Sequence, residues 1–476
     1  MGSEGRAKLT EGNVKTTLLR MTGPMMFALV SMIAFNLVDT AFIGRLGARE
    51  LAAVSFTFAP IFFLSSIAIG IGTGATSVIS RTIGEGGGSV VKRLTSDTII
   101  LGVLISIISS IVGILTIEPV FALLGADGEI LPLARSYMII WYIGLPFVMV
   151  PILGNSIIRS TGDMKTPMYV MLIAVTINFI LDFIFIFGLG PVPAMGIEGA
   201  AWATAIARGF TLPASIYILR HRERMLVFGK ISISRLFRSW KEVLRIGLPA
   251  ALVNMMAPLN TGIITAIIAS HGELAVGGFG AASRVEALVI MPIIALGIAA
   301  VPFIGQNLGA GRMDRVREAV DFSFKAIVIF GLLAWGLMAL TADITAPIFN
   351  SNPRVVASYV DYIRIGDLGF YMLGLALFTA SAFNGLNRPL PSAVLYFVRL
   401  LLLMIPLALA GSYFWGVPGV YLGMSVANII AGTMSYFWLR RAVRHPKKVI
   451  TKEVPRIDCE TDAIWSRLIG RPRECT

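Results

Sequence analysis

Apolar and polar positions alternate along this chain in blocks rather than residue by residue. Runs of about 20 apolar residues, bounded by charges or Gly/Pro clusters, lie near 21–43, 52–79, 96–117, 134–157, 167–189, 197–219, 245–269, 275–304, 322–347, 357–383, 391–414 and 417–439. A helix rising about 1.5 Å per residue needs some 20 such residues to cross a hydrocarbon layer about 30 Å thick. The pattern therefore predicts twelve membrane-spanning helices. Each unpaired backbone group in hydrocarbon costs several kcal/mol, and runs this long without strict alternation exclude a β-barrel. The expected fold class is an all-α polytopic membrane protein.

Composition agrees: 56% of the 476 residues are hydrophobic and 14% charged, where a soluble chain carries about 25% charged residues. The formal net charge of +13 raises the question of nucleic acid, but the basic residues occupy alternate loops rather than one soluble face. Arg81, Lys92 and Arg93 follow span two, Arg159 and Lys165 span four, and Arg222, Arg224, Lys230, Arg235, Arg238 and Lys241 span six. Arg312, Arg315 and Arg317 follow span eight, Arg388 span ten, and Arg440, Arg441, Arg444, Lys447 and Lys448 span twelve. The other loops are poor in Lys and Arg, with Arg45, Arg49, Arg135 and Arg354 as exceptions. The positive-inside rule then places both termini in the cytoplasm and the chain in the cell membrane, with no nucleic-acid partner. The basic tail, 441–476, reads as an orientation signal plus a solvated end. Its cysteines, Cys459 and Cys475, predict no structural disulfide. The first span is too long for a signal-peptide core and lacks a small-residue cleavage site.

The chain also contains itself twice. LLRMTGP (18–24) compares with VLRIGLP (243–249), so that Arg20 and Pro24 recur as Arg245 and Pro249, 225 positions on. The same offset carries Gly72 to Gly297 and Gly84 to Gly309, and slightly shorter ones relate IIRSTGDMKTP (157–167) to AFNGLNRP (382–389) and GIEGAAWAT (196–204) to GVPGVYLGM (416–424). Six spans per repeat is an even number, so both halves insert alike, related by an axis along the membrane normal; parallel repeats of this kind are a transporter plan. The expected organisation is an amino-terminal lobe (1–220), a basic connector (221–242), a carboxy-terminal lobe (243–440) and the tail (441–476).

No motor is visible. The chain has no G-x-x-x-x-G-K-[ST] loop and no HExxH, and its histidines, His221, His271 and His445, are scattered. Gly70, Gly72 and Gly74 lie inside an apolar run with no preceding strand, where close helix packing is their natural use. Transport would draw on an ion gradient or the cargo's own, and no enzyme activity or cofactor is expected.

Acids stand out in this background. FNLVDTAFIG (35–44) places Asp39 in span one, and INFILDF places Asp182 centrally in span five, four residues after Asn178 and so on the same face. A charge at such depth costs about 2.5–3.5 kcal/mol on insertion scales, which makes each acid a functional hypothesis.

These residues resemble the multidrug and toxic compound extrusion (MATE) family over about residues 15–440. The likeness rests on Pro24 followed by Asp39 and Thr40 in span one, on IIRSTGDMKTP after span four, on the N-x-x-x-D of span five and on GIEGAAWAT opening span six. The resemblance implies two six-helix bundles in a V around a central cavity, and efflux of organic cations and other amphiphiles in exchange for H⁺ or Na⁺ by a monomer. It points to the DinF-like branch, archaeal or bacterial, because the acids fall in the amino-terminal lobe. The glutamate that the NorM-like branch carries in span seven has no counterpart in LVNMMAPLN (252–260), which leaves Asp367 as the carboxy-terminal lobe's contribution.

By the same resemblance Asp39, Asn178, Asp182 and Thr204 meet inside the amino-terminal lobe, with a backbone carbonyl near Ala200 completing an oxygen shell for H⁺ or a small hard cation such as Na⁺. Two carboxylates at low dielectric cannot comfortably both be charged, so they share a proton or take a cation between them. Tyr137, Asn155 and Asp367 are expected at the cargo cavity, and Pro24, which breaks the helix's hydrogen-bond ladder, at a hinge. Arg284 and Glu286 are two apart and face different ways; for Arg284, Arg208 and Arg399 the expectation is structural ion pairing. Two rival readings stand beside export. A lipid-linked oligosaccharide flippase would need several cavity arginines for pyrophosphate, and a channel or receptor would show no saturable exchange.

Overall fold

The computed structural model describes residues 8–126, 128–227 and 232–445. Lys230, Lys447, Lys448, both cysteines and nearly all of the basic tail lie outside the described residues. The amino-terminal lobe comprises α1 (Val14–Gly44), α2 (Ala48–Gly84), α3 (Gly88–Leu123), α4 (Ile130–Ser160), α5 (Lys165–Phe187) and α6 (Gly196–Tyr217). The carboxy-terminal lobe comprises α7 (Ile233–Ala269), α8 (Glu273–Val289), α9 (Met291–Gly309), α10 (Met313–Phe349), α11 (Pro353–Ile365), α12 (Phe370–Gly385), α13 (Pro389–Phe397) and α14 (Ile405–Arg444).

The fold class is the one the hydrophobic pattern predicts, and the details show where side chains broke the helices. Span eight is α8 and α9, which meet at Ile290, ahead of Pro292. Span ten is α11 and α12, joined by a 3₁₀ turn at Gly366–Gly369 that holds Asp367. Spans eleven and twelve run from α13 through a π-helical stretch, Val398–Met404, into α14. Inside α14 the chain reverses at Gly416, whose φ of 62° and ψ of −140° suit glycine alone. Gly411 then lies against Gly419 and Gly423 against Leu407, the two arms antiparallel. Among the described residues ten segments qualify as membrane-crossing on length and hydropathy, the α13–α14 stretch counting once; α6 does not, because Ala, Gly, Glu198 and Arg208 dilute its apolar content. The connector is partly helical, since α7 begins at Ile233.

Within the amino-terminal lobe α4 packs on α2, α3 and α6, while α5 bridges α6 and α1; in the other lobe α12 lies between α9, α10 and α14, and α11 packs on α8. Between lobes the main contacts are α2 with α7 and α9, and α1 with α9; α3 also touches α7, α1 touches α10, α2 touches α12 and α4 touches α9. They obey the internal offset. A Cβ at Gly84 would stand 2.1 Å from the Gln306 carbonyl oxygen, and one at Gly309 would stand 2.1 Å from that of Arg81. Arg81 and Gln306 are themselves 225 apart, as are Ser156 and Ser381, which crowd Gly72 and Gly297. Repeat-equivalent residues thus meet across a pseudo-two-fold axis.

These close approaches all lie on the side of the molecule that carries the chain termini. In the first half of α1, Val14, Leu18, Met21 and Met25 belong to the hydrophobic core of the carboxy-terminal lobe, whereas in its far half Ile43 joins the core of its own lobe and Met32 and Leu37 are exposed, as is Leu259 in the far half of α7. α8 packs on α11, α7, α10 and α9 of its own lobe. The molecule is a V, closed on the terminus side and open on the other.

A strap adds to the closure. The Leu9 amide donates to Gln306 Oε1 (3.2 Å) and Asn307 Nδ2 donates to the Leu9 carbonyl (3.1 Å). Gln306 Nε2 in turn donates to the Ser160 carbonyl of the other lobe (2.8 Å), and Arg315 donates to the Gly12 and Glu11 carbonyls (2.7 and 2.9 Å). The Ser77 hydroxyl donates to the Asn384 carbonyl across the same seam. On the open side, Arg49 and Arg135, two exceptions to the loop charge pattern, pair with Glu129 and Glu118.

Candidate functional site

α1, α4, α5 and α6 converge on a polar cluster in the amino-terminal lobe. α5 stops at Phe187 because Gly188, at φ 79°, turns the chain. Asp182 is therefore five residues from its helix end rather than central in the span, the same distance as Asp39 from Gly44. The two acids thus sit at matching depth, about 7–8 Å below the open-side helix ends at 1.5 Å per residue. Asp182 is fully buried and Asn178 nearly so. The Asn178 amide, oriented with its nitrogen toward the acid, donates to Asp182 Oδ2 at 2.8 Å and accepts from the Thr204 backbone N–H at 3.3 Å. A hydrogen bond to a charged group contributes about 1.5–3 kcal/mol, so Asn178 holds the carboxylate in place. Asp39 and Asp182 lie within electrostatic range of each other, and both act on the phenol of Tyr137, buried on α4.

One oxygen of each carboxylate, Asp39 Oδ1 and Asp182 Oδ1, is buried and accepts no hydrogen bond among the described residues, as does Asn155 Oδ1 on α4. Orphaned carboxylate oxygens at low dielectric fit a proton or a small hard cation. Ala200, fully buried, lies one turn from Thr204 on α6. One turn further toward the termini is a second layer. Arg208, four residues after Thr204, has its guanidinium 5.6 Å from the ring centroid of Phe35, four residues before Asp39.

The other lobe holds a cluster that the sequence did not reveal. Glu286 on α8, Tyr362 on α11, Asp367 on the 3₁₀ turn, Arg399 on the π-helical stretch, and Asn260 and Asn428 line a small cavity of about 60 Å³. The Tyr362 hydroxyl donates to Glu286 Oε2 (2.5 Å), and Arg399 Nε donates to Asn428 Oδ1 (2.9 Å). Asp367 is buried with Oδ2 unpartnered among the described residues. The partners of Glu286 were missed because spacing sets it apart from Arg284 but says nothing of α11 or the π-helical stretch. Arg399 lies within electrostatic range of Glu286. The ion pairs expected for Arg208, Arg284 and Arg399 are absent: none has a carboxylate within 4.0 Å among the described residues.

Outside the membrane, Asp163 opens α5. Its Oδ1 accepts from the Lys165 and Thr166 amides (3.0 Å each), and Arg222 donates to its Oδ2 and, at 2.7 Å, to Thr166 Oγ1. Burial pushes the Asp163 carboxyl up, but the Thr166 hydrogen bonds and Arg222 outweigh it and hold it below its ordinary range.

Two helical lobes repeated in parallel, closed at one end, with buried acids inside each, are the architecture of a secondary transporter. The MatE family profile matches residues 24–184 and again 249–410, two stretches starting at Pro24 and Pro249, and the chain belongs to that family. It is 37% identical over 448 residues to the FAD transporter of Shewanella oneidensis, covering 94% of this chain and 99% of that one. It superposes on the Vibrio cholerae MATE transporter VcmN, solved as an aspartate-to-asparagine mutant, at a TM-score of 0.86 and 29% identity, covering 90% of this chain and 97% of that one. It also matches an outward-facing multidrug resistance MATE transporter at a TM-score of 0.86 and 25% identity, covering 92% and 98%. The protein is an efflux transporter rather than an enzyme.

Proposed function

We propose that this protein is an ion-coupled antiporter of the cell membrane, exporting drugs, organic cations and other amphiphiles in exchange for H⁺ or Na⁺ by alternating access. The observation that carries the reading is the pair Asp39 and Asp182, each with a buried, unpartnered oxygen, at one depth in the lobe that α1 closes. A proton or Na⁺ arriving from the open side binds between them, with Asn178, Thr204 and Ala200 in the surrounding shell. It changes the packing of α1, whose Pro24 leaves the Arg20 carbonyl without its helical partner and makes bending cheap. The cavity then releases its cargo. Tyr137, Asn155 and Asp367 contribute cavity polarity, both termini face the cytoplasm, and the unit is a monomer in contact with membrane lipid. The amino-lobe acids support the DinF-like branch, and the Glu286–Asp367 pair gives the other lobe acids of its own.

Cargo chemistry is the second question. The FAD transporter relative supports an aromatic, phosphate-bearing cargo beside the cationic ones, and Arg208 and Arg284 give that reading, and the flippase alternative, a physical basis. The test is movement of ethidium or norfloxacin in proteoliposomes under a pH gradient and, separately, a Na⁺ gradient, with Asp39→Asn and Asp182→Asn alongside wild type. Gradient-driven movement lost in both variants supports the coupling role and names the ion. Normal transport by the variants refutes it, and a wild type that moves neither compound refutes drug and organic-cation export.

A further inference from the structure

The charge facing the cleft is positive. The four acids of the two polar clusters are turned inward, Asp39 and Asp182 into one lobe and Glu286 and Asp367 into the other, whereas Asp343, six residues from the end of α10, pairs with Arg364. Arg284 is not turned inward. On α8 the residues lining the carboxy-lobe cavity are Phe279, Ser283 and Glu286, and Arg284 stands on the opposite side of the helix, about 200° round from Glu286 at 100° per residue. That side is open. Arg284 and Ala287 are exposed, and a side chain at Gly280 would meet nothing within 4 Å. Followed into α9 at the same 100° per residue, Gln306 and Gly309 fall within about 40° of Arg284, and these residues meet Ser160 and Arg81 of the other lobe. The stripe bearing Arg284 is thus the lobe-facing stripe, on the half of the span where the lobes have parted.

Depth makes the placement informative. Arg284 is eleven residues from the start of α8 at Glu273, about 16 Å into the span, where a guanidinium facing lipid is strongly disfavoured and an unpaired one marks a path for a charged ligand. It has no ion pair or hydrogen bond among the described residues. Arg208, about 18 Å into α6 counted from Gly196, offers the same chemistry from the other lobe. Its partner is the face of Phe35, a stacking that leaves the in-plane N–H groups directed outward for an oxyanion.

We infer that Arg284, assisted by Arg208, is a specificity-determining residue that recognises the phosphate or pyrophosphate of an anionic cargo. The inference rests on the export reading and names a cargo class for it. Guanidinium groups bind phosphate oxygens through paired, charge-assisted N–H donors, a match they do not offer to organic cations. The chemistry is shared by a soluble phosphorylated aromatic and by a lipid-linked pyrophosphate, and the experiment separates them.

Binding of FAD, of ethidium and of a polyprenyl-pyrophosphate-linked sugar to the purified full-length protein is measured for wild type, Arg284→Gln, Arg208→Gln and the charge-retaining Arg284→Lys, with inorganic pyrophosphate as competitor. One of the two anionic ligands is expected to bind and to be displaced by pyrophosphate. Arg284→Gln should weaken it about tenfold or more while ethidium binds more tightly, and Arg284→Lys should restore part of the loss. Displacement of FAD identifies a soluble cargo, and displacement of the lipid-linked ligand alone a flippase cargo. A merely structural role for Arg284 would weaken every ligand together and overturn the inference, as would anion binding indifferent to both glutamine variants or absent from wild type. Gradient-driven ethidium transport in the presence of either result leaves the export reading standing; its absence, with anion binding intact, sinks the drug-antiport reading alone.

Discussion

Replacing Gly84 by alanine should drive the two lobes apart on the terminus side. The added Cβ would lie 2.1 Å from the Gln306 carbonyl oxygen, 0.9 Å inside the 3.0 Å below which such contacts are essentially never seen. The obstacle is helix backbone, which cannot rotate away as a side chain can, so α2 and α9 must separate. Overpacking of this kind costs about 1–3 kcal/mol. The cost falls only on the conformation in which the seam is shut, because with the lobes parted the methyl meets nothing. The equilibrium should therefore shift toward the parted state by about 5- to 150-fold. Electron–electron double resonance between spin labels at Lys165→Cys and Glu318→Cys, with Cys459 and Cys475 replaced by serine, should show a second, longer distance. Gly336→Ala, where a Cβ meets nothing within 4 Å, is the control. If Gly84→Ala gave the control's distance distribution and melting temperature, the seam would not be the contact that holds the V closed.

Four further outcomes follow from the same geometry. Gln306→Ala removes the hinge of the strap, its bonds to the Leu9 amide and the Ser160 carbonyl, and should also populate the longer distance, by about 1–3 kcal/mol for the groups left unpaired; an unchanged distribution would make the strap incidental. Pro24→Ala restores a helical hydrogen bond worth part of the roughly 3 kcal/mol that an interior proline costs, and transport should fall; activity equal to wild type would refute the bending step. Asn178→Ala should raise the half-saturating H⁺ or Na⁺ concentration about tenfold or more, from a lost bond of about 1.5–3 kcal/mol, and unchanged ion dependence would remove Asn178 from the shell. Asp163→Ala should lower stability by about 0.5–2 kcal/mol through the lost cap. Because the Asp163 carboxyl is held below its ordinary 3.8 in the folded protein, that difference should persist from neutral pH down to about 4. It should close only as pH falls further, through the folded value; melting curves showing it vanish near pH 6 would contradict the assignment.

Which features were legible beforehand follows from the range of the forces involved. Asn178 and Asp182 share a face because helical spacing is local, and the 225-residue offset foretold that Gly84 and Gly309 would occupy equivalent places. Glu286 and Asp367 are 81 positions apart and meet only because α8, α11 and the 3₁₀ turn enclose one cavity. Arg208 was expected to find an acid and instead lies over Phe35, since which helices become neighbours is decided by packing around α5. The depth of Asp182 was misjudged for a simpler reason. The apolar run continues past Phe187, but Gly188 ends the helix.

The sequence by itself determined that the chain crosses a membrane twelve times and is built as two alike halves, because hydrocarbon permits only internally bonded backbone and a span's length is set by bilayer thickness. It also determined which acids and prolines sit within the spans. Only the tertiary structure decided that the terminus side is the closed one, that buried acids turn into both lobes, and that Arg284 is left exposed and without an ion pair among the described residues. Those outcomes depend on how helix surfaces hundreds of residues apart fit together, and shape complementarity of that kind has no short-range signature in the chain.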